Sequence, residues 1–157
     1  MGEPSHPPLL PGSKIGRMDD VLNRLRAAAP DVLATEPVRV AYLFGSHARG
    51  EASALSDVDV ALLAPDTVPD ERLNLRLRVI GRLATAARIP DLDVIVLDES
   101  PLTLAGRVIK DGIVIYSVDE PMRAAYESRT FREFVDFSFL ADEIDVEMLR
   151  QIGEGRR

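Results

Sequence analysis

Two aspartates stand two positions apart in an apolar segment, at a spacing that brings their side chains together. The segment Val38 to Leu63 reads VRVAYLFGSHARGEASALSDVDVALL, in which a strand-like run ends at Gly45-Ser46 and ten further residues precede Asp57 and Asp59. In an extended strand successive side chains alternate between faces, so both carboxylates project from one side. Such neighbours repel unless a proton or a hard cation lies between them, and Mg²⁺ takes carboxylate and phosphate oxygens. The spacing therefore indicates a site for a metal ion and phosphate.

A third acid, Asp93, lies inside the apolar run LDVIVL. An unpaired carboxylate in a strand interior is costly and requires an explanation. One interpretation is that Asp93 completes a two-metal site and helps to deprotonate a nucleophile. The other is that it forms a buried ion pair with an arginine such as Arg88 or Arg107.

These residues carry a family resemblance. Gly45-Ser46, ten intervening residues and Asp57-Val58-Asp59 resemble the signature of the polymerase-beta-like nucleotidyltransferase superfamily. Within it, FGSHARGEASALSDVDVALL is similar to the minimal nucleotidyltransferase (MNT) family, whose members are mostly bacterial and archaeal antitoxins encoded beside HEPN-domain toxins. The resemblance runs from about Met18 to the last helix. It implies ATP as nucleotide donor, Mg²⁺ as cofactor, and Asp57, Asp59 and Asp93 as catalytic acids and metal ligands.

The Gly-Ser turn is the expected phosphate site. Gly45 lets a ligand approach the main chain, and Ser46 can cap the helix that begins at HARGEA, whose N-terminus attracts anions. We expect Gly45 and Ser46 to hold the β- and γ-phosphates of a nucleotide, the alternative being a serine cap without a ligand. Arg49 matches the arginine of the family's Gly-Ser-x-Ala-Arg-Gly turn and either touches phosphate or pairs with an acid. His47 is expected to be an exposed helix-turn histidine.

Composition excludes several classes of function. The chain has 157 residues, 46% of them hydrophobic, which suits one domain with a real core. Its net charge is −7 and 17 of its 19 basic residues are arginine without forming a basic block, so direct DNA binding is not expected. It contains no cysteine, which excludes disulfides and a thiolate nucleophile and favours the cytoplasm. No apolar run is long enough to span a membrane.

Patterning predicts a disordered, proline-rich tail over residues 1–16 and one domain over residues 17–157 of class α/β (α+β), with a central sheet of about four strands, helices packed on one face and a long C-terminal helix. The resemblance implies that this is an MNT domain with the polymerase-beta-like nucleotidyltransferase fold and that its sheet is mixed. The predicted strands are Val38 to Phe44, Val58 to Leu63, Leu92 to Leu97 and an edge strand from Gly112 to Ser117. The predicted helices are Met18 to Pro30, Pro69 to about Ile89, Pro101 to Lys110, and Pro121 to about Ile152.

The predicted helix that begins near Pro69 has an apolar side and an arginine-rich side. In the helix that begins near Pro69, a stripe of Leu73, Leu77, Ile80 and Ala84 is expected to face the core. Its other side carries Arg72, Arg76, Arg78 and Arg82, which form either a solvated face or a surface for an acidic partner or RNA.

The last helix has more apolar residues than one stripe needs. This excess suggests burial on two sides, against the domain and against a partner or a second copy, so a homo-oligomer through this helix is possible. Packing within the core alone is the alternative.

The resemblance implies an antitoxin that neutralises a HEPN toxin by transferring AMP from ATP to a toxin tyrosine. Three alternatives remain: nucleotide transfer to a small hydroxylated molecule such as an aminoglycoside, non-catalytic blocking by direct binding, and extension of nucleic-acid ends. The small molecule usually requires a further binding region, a pure binder need not retain Gly45-Ser46 and the aspartates, and the acidic net charge conflicts with nucleic-acid extension.

Overall fold

A computed structural model describes residues 14–154, which form five α-helices and four strands. In chain order these are α1 (Lys14–Leu33), β1 (Val40–Phe44), α2 (Gly45–Ala48), β2 (Val58–Leu63), α3 (Pro69–Ala87), β3 (Leu92–Val96), a 3₁₀ turn (Leu97–Glu99), α4 (Leu102–Asp111), β4 (Ile113–Ser117) and α5 (Glu120–Glu154).

The strands form one sheet in the order β3-β2-β1-β4. Strand β1 pairs antiparallel with both β2 and β4, whereas β2 and β3 are parallel. Parallel neighbours need a crossover connection, and α3 supplies it. The predicted mixed sheet of four strands, the edge position of β4 and the long C-terminal helix are confirmed.

Helices cover both faces of the sheet, so the expectation of helices on one face is wrong. One face, with Leu43 and Val60, packs against α1 and α3. The other face, with Tyr42 and Leu63, packs against α4 and the start of α5. Both faces of β1 and β2 are apolar because these strands are central, and each face must be covered to remove it from water.

Helix α1 is longer than predicted at both ends. It begins at Lys14, so three residues of the predicted tail are helical, while residues 1–13 lie outside the described residues. It also continues through Pro30 to Leu33. A proline inside a helix costs about 3 kcal/mol. Because Val32 and Leu33 beyond it are buried in the core, and each such side chain contributes roughly 1.5–3 kcal/mol, packing outweighs the break.

Helix α3 presents a different stripe to the core from the predicted one. Its buried residues are Leu75, Val79, Leu83 and Ala87. Leu73 and Leu77 are instead 58% and 59% exposed, whereas Ile80 and Ala84 border the core. Apolar residues occupy more than half of the helix circumference, so periodicity alone could not decide which stripe meets the sheet.

The first half of α5 is attached to the sheet and to α4. The Tyr42 hydroxyl donates a hydrogen bond of 3.0 Å to Glu127, which also accepts one of 2.9 Å from Arg123. Gly106 of α4 lies directly against the Phe134 ring, so closely that a Cβ at this position would overlap it. Within residues 14–154, no helix combines the length and apolarity needed to cross a bilayer.

The contact between α4 and α5 depends on the missing side chain of Gly106. We expect Gly106→Ala to destabilise the protein by about 1–3 kcal/mol, because the added methyl group must displace the Phe134 ring. Gly81→Ala is the matched control, since Gly81 lies inside α3 with open space around its Cβ position. The control should instead stabilise by roughly 0.5–1 kcal/mol through helix propensity. Denaturant unfolding of both variants measures this, and equal shifts would contradict the proposed contact.

Candidate active site

The sheet brings two of the three predicted acids side by side. Strands β2 and β3 are paired in a register that places Asp59 opposite Asp93, and Asp57 immediately precedes β2. In β2, Asp59 alternates with Val58 and Val60, which belong to the core under α1 and α3, so it lies on the face that carries Ala61. Helices α4 and α5 cover this face near the far end of β2, and the acids occupy its other end.

The charges at this end interact. Burial raises the pKa of Asp59 above its ordinary value, and the negative charges of Asp93 and Asp57 raise that pKa further. Interactions with His47 and Arg49 lower that pKa in part. Asp59 therefore lies among two other carboxylates and the side chains of His47 and Arg49, all from the segments that the sequence singled out.

Gly45 contacts Asp59 through its backbone. Its φ of +71° is in the left-handed region, and a Cβ on this residue would overlap the Asp59 carboxylate. The pairing of Phe44 with Asp59 across β1 and β2 brings the turn to this place. Gly45 was expected to let a ligand approach the main chain. In the structure, the group that lies against it is the Asp59 carboxylate.

Ser46 does not cap a helix, contrary to expectation. Helix α2 begins one residue earlier, at Gly45, with Phe44 at the N-cap position and no side-chain capping bond. The helix has only four residues, so its dipole is small. The first-turn N–H groups of Gly45 and Ser46 still have no partner within the helix, which leaves backbone donors beside Asp59.

Arg49 and His47 connect the turn to the loop that follows. The Arg49 Nε donates a hydrogen bond of 2.9 Å to Glu51. Of the two roles expected for Arg49, contact with phosphate and pairing with an acid, this is the second. His47 is buried, with 5% of its surface exposed, so its expected exposure is wrong. Its Nε2 lies 3.4 Å from the carbonyl oxygen of Ser56, and its Nδ1 is buried without a hydrogen-bond partner among the described residues. The histidine ring thus packs between the turn and the residue before Asp57.

Asp93 is more exposed than its apolar surroundings suggested. Its side chain is 57% exposed because β3 is an edge strand and the sheet face is open here. One carboxylate oxygen accepts a hydrogen bond of 2.9 Å from the Val94 backbone N–H. The cation nearest to it is Arg76, at 4.0 Å, and not Arg88 or Arg107. Asp93 is therefore not the unpaired buried charge that was expected, and it is its register with Asp59 that connects it with the site.

Arg76 is the side chain that the sequence did not connect with the site. Its Nε donates a hydrogen bond of 2.7 Å to the carbonyl of Val94, so the guanidinium reaches around the edge of β3 toward Asp93. No local pattern signals this role, because it depends on the crossover that lays α3 along β3. Sequence reasoning gave Arg76 only a place on the arginine side of the helix.

The other described arginines of that side mostly bind within the protein. Arg78 and Arg82 both donate to Glu36, whose side chain is 7% exposed. The hydrogen bond from Arg78, with smaller contributions from both positive charges, lowers the pKa of Glu36. These two arginines therefore join α3 to the segment after α1 instead of forming a free basic surface.

The carboxylates fit a divalent cation only as an open site. Within residues 14–154, no three His, Cys, Asp or Glu side chains gather into a ready-made metal cluster. Mg²⁺ commonly binds through one or two carboxylates together with water and substrate phosphates, and so needs no closed protein cage. The mutual repulsion of Asp57, Asp59 and Asp93 is the feature that a cation would relieve.

The raised pKa of Asp59 predicts how its removal changes stability. An acid whose folded pKa is raised favours folding at low pH, and this contribution is lost as the pH rises through the folded value. We therefore expect Asp59→Asn to raise the free energy of unfolding at pH 7. The gain should vanish below about pH 3.8, the ordinary pKa of aspartate, where the group is protonated in both states.

Chemical denaturation between pH 3 and 8 measures this difference. Asp66→Asn is the control, because Asp66 is exposed and pairs with Arg39 at 2.8 Å, away from the acidic cluster. A stability gain in the control as large as that of Asp59→Asn, or a loss on changing Asp59 at neutral pH, would show that Asp59 is not under electrostatic strain.

Comparison with known proteins places this arrangement in a family. The model of the family described as Polymerase beta, Nucleotidyltransferase matches residues 29–121, more than half of the chain and the whole of the region from the end of α1 to the start of α5. No curated protein matches the sequence.

Solved structures of toxin–antitoxin proteins are similar in fold. A toxin–antitoxin structure with AMP-PNP has a TM-score of 0.61 and 22% identity, covering 82% of this chain and 98% of that chain. A MntA–HepT toxin–antitoxin structure has a TM-score of 0.55 and 21% identity, covering 82% and 97%. A complex of tri-AMPylated Shewanella oneidensis HEPN toxin with MNT antitoxin has a TM-score of 0.51 and 20% identity, covering 87% and 98%.

Identities this low establish a common fold, and it is the match of the family model that decides membership. The chain belongs to the polymerase beta nucleotidyltransferase family.

Proposed function

We propose that this protein is an MNT antitoxin that transfers AMP from ATP to a tyrosine of a cognate HEPN toxin in the cytoplasm, with Mg²⁺ as cofactor. The observation that carries the proposal is the register of Asp59 with Asp93, beside Asp57 and under the Gly45 turn. Among proteins of similar fold, one structure contains AMP-PNP and another contains a tri-AMPylated HEPN toxin with its MNT antitoxin.

The proposed reaction joins the acceptor oxygen to the α-phosphorus of ATP. The bond from that phosphorus to the bridging oxygen of the β-phosphate breaks, and pyrophosphate leaves. Asp93 would take the proton of the attacking hydroxyl, and the exposure of its carboxylate at the open end of the sheet supports this role. Arg76, 4.0 Å away, would hold that carboxylate in position.

The donor nucleotide would lie between the turn and the acids. The N–H groups of Gly45 and Ser46 would bind the β- and γ-phosphates, and Arg49 would keep the turn in shape through Glu51. Asp57, Asp59 and Asp93 would hold Mg²⁺, which when bound supplies positive charge to the triphosphate and to the departing pyrophosphate.

A protein acceptor suits the openness of this end of the sheet. Asp57 and Asp93 are exposed, and the acceptor's own surface would cover them and exclude water during transfer. The alternative of inhibition by contact alone draws on a different observation, the exposed apolar side chains of the distal part of α5. The following variant separates the two functions.

The double variant Asp57→Asn and Asp59→Asn should abolish transfer while leaving the fold intact. It removes two proposed metal ligands, keeps side-chain size and relieves repulsion. We expect its rate of AMP transfer to fall by at least about 10³-fold, the scale of lost electrostatic stabilisation in such sites. Intact-mass spectrometry of toxin incubated with antitoxin, ATP and Mg²⁺ measures the added AMP, with Asp66→Asn as the active control. If the double variant still neutralises the toxin, and the unaltered protein adds no AMP to it, the AMP-transfer proposal is rejected and inhibition by contact replaces it.

Asp93→Asn should lose transfer with little change in stability. Because the side chain is 57% exposed and its ion pair is long, the change should alter the free energy of unfolding by less than about 1 kcal/mol. Thermal melting and the mass assay are compared on the same sample. A variant that transfers AMP at the normal rate would remove Asp93 from the proposed chemistry.

A further inference from the structure

The distal part of α5 carries an apolar stripe that nothing in the described chain covers. Phe137, Leu140, Ile144 and Met148 are 47%, 54%, 52% and 56% exposed. Their spacing of three, four and four residues places them on one face of the helix. Single exposed apolar residues are ordinary, but a contiguous row of four large side chains is typical of an interaction surface.

This stripe lies beyond the part of α5 that is anchored to the domain. The helix contacts Tyr42 through Glu127 and Gly106 through Phe134. From residue 138 to residue 154 it continues for roughly 25 Å at 1.5 Å per residue. The helix therefore presents the stripe on an extension of the folded domain, away from the residues that hold α5 in place.

The charge beside the stripe indicates what covers it. Residues 131–151 contain six acidic residues and two arginines. Glu143 and Glu147 lie on α5 directly beside Leu140, Ile144 and Met148. Two copies packed through this segment would bring one acidic helix against another, which is unfavourable at an interface. A partner with lysine or arginine beside its own apolar row would complement both features.

We propose that the distal stripe of α5 docks an amphipathic helix of the cognate toxin whose apolar face is flanked by basic residues. This inference rests on the proposed function for the partner's identity and adds the surface that binds it. Docking at this surface would tether the toxin to the chain that carries Asp93 and so raise the effective concentration of its acceptor, while leaving the acidic end of the sheet free to react. Binding and transfer are then separable properties of the chain.

The test compares two double variants that make the same chemical change. Leu140→Asp with Ile144→Asp places charges in the stripe, and Leu73→Asp with Leu77→Asp is the control on α3, where the two leucines are 58% and 59% exposed. Toxin affinity is measured by isothermal titration without ATP, and folding by thermal melting. We expect at least about a tenfold loss of affinity in the α5 variant and none in the control, since central apolar anchors dominate interfaces.

A charge variant tests the proposed chemistry of the partner. Glu143→Lys with Glu147→Lys should weaken toxin binding at low salt and reduce the dependence of affinity on salt concentration. Wild-type affinity in the α5 aspartate variant would overturn the proposal. A second result would also overturn the proposal. If light scattering shows that the free protein is a dimer, and the α5 aspartate variant is a monomer with unchanged toxin affinity, the stripe binds a second copy of this chain and not the toxin.

The mass assay distinguishes this inference from the proposed function. At toxin concentrations that saturate the weakened site, the α5 variant should regain AMP transfer, because Asp57, Asp59 and Asp93 are unchanged in it. The Asp57→Asn with Asp59→Asn variant should not regain transfer at any toxin concentration. Loss of toxin binding in the α5 variant, with no AMP on the toxin from any form of the protein, supports the docking surface and rejects the transfer activity. Full AMP transfer by the α5 variant at low toxin concentration rejects the docking surface and retains the activity.

Discussion

The contact between the Gly45 backbone and the Asp59 carboxylate constrains the acidic end of this protein. A left-handed residue without a side chain ends β1 there, and any larger residue would push the carboxylate away. Asp59 lies between Phe44 of β1 on one side and Asp93 of β3 on the other, because β2 pairs with both strands. The turn, the central strand and the edge strand therefore cannot shift independently, and the position of one carboxylate depends on three elements.

The same constraint keeps like charges together and so opposes folding. Burial, Asp93 and Asp57 all raise the pKa of Asp59, which means that its ionised form is disfavoured in the folded chain. The fold tolerates this because the rest of the sheet is covered on both faces by apolar side chains. Beyond Asp59 on the same face, Ala61 and Leu63 pack into the core beneath α4. Strained polar groups at one end of a well-packed element are characteristic of functional sites.

Sequence reasoning succeeded where one local pattern decides the structure. The apolar runs, the Gly-Ser turn and the D-x-D spacing predicted the strands and the segments that meet in the site, and the family resemblance implied the mixed sheet. Sequence reasoning failed where contacts with residues distant in sequence decide the structure. The exposure of Asp93 follows from the edge position of β3, and Pro30 remains in α1 because residues after it are buried. The buried face of α3 and the reach of Arg76 depend on how the crossover lies against the sheet, which no pattern within the helix encodes.

The open carboxylate site and the uncovered distal part of α5 both follow from where α4 and α5 lie on the sheet. On the side of the sheet that carries the acids, α4 and the first part of α5 cover the far end, and the remaining length of α5 leaves the domain instead of folding back over the carboxylates. Here the stripe and the carboxylates both stay accessible, and a single protein acceptor could cover both. Under the proposed function, the acceptor would then supply the missing wall of the active site as well as the hydroxyl group that reacts there.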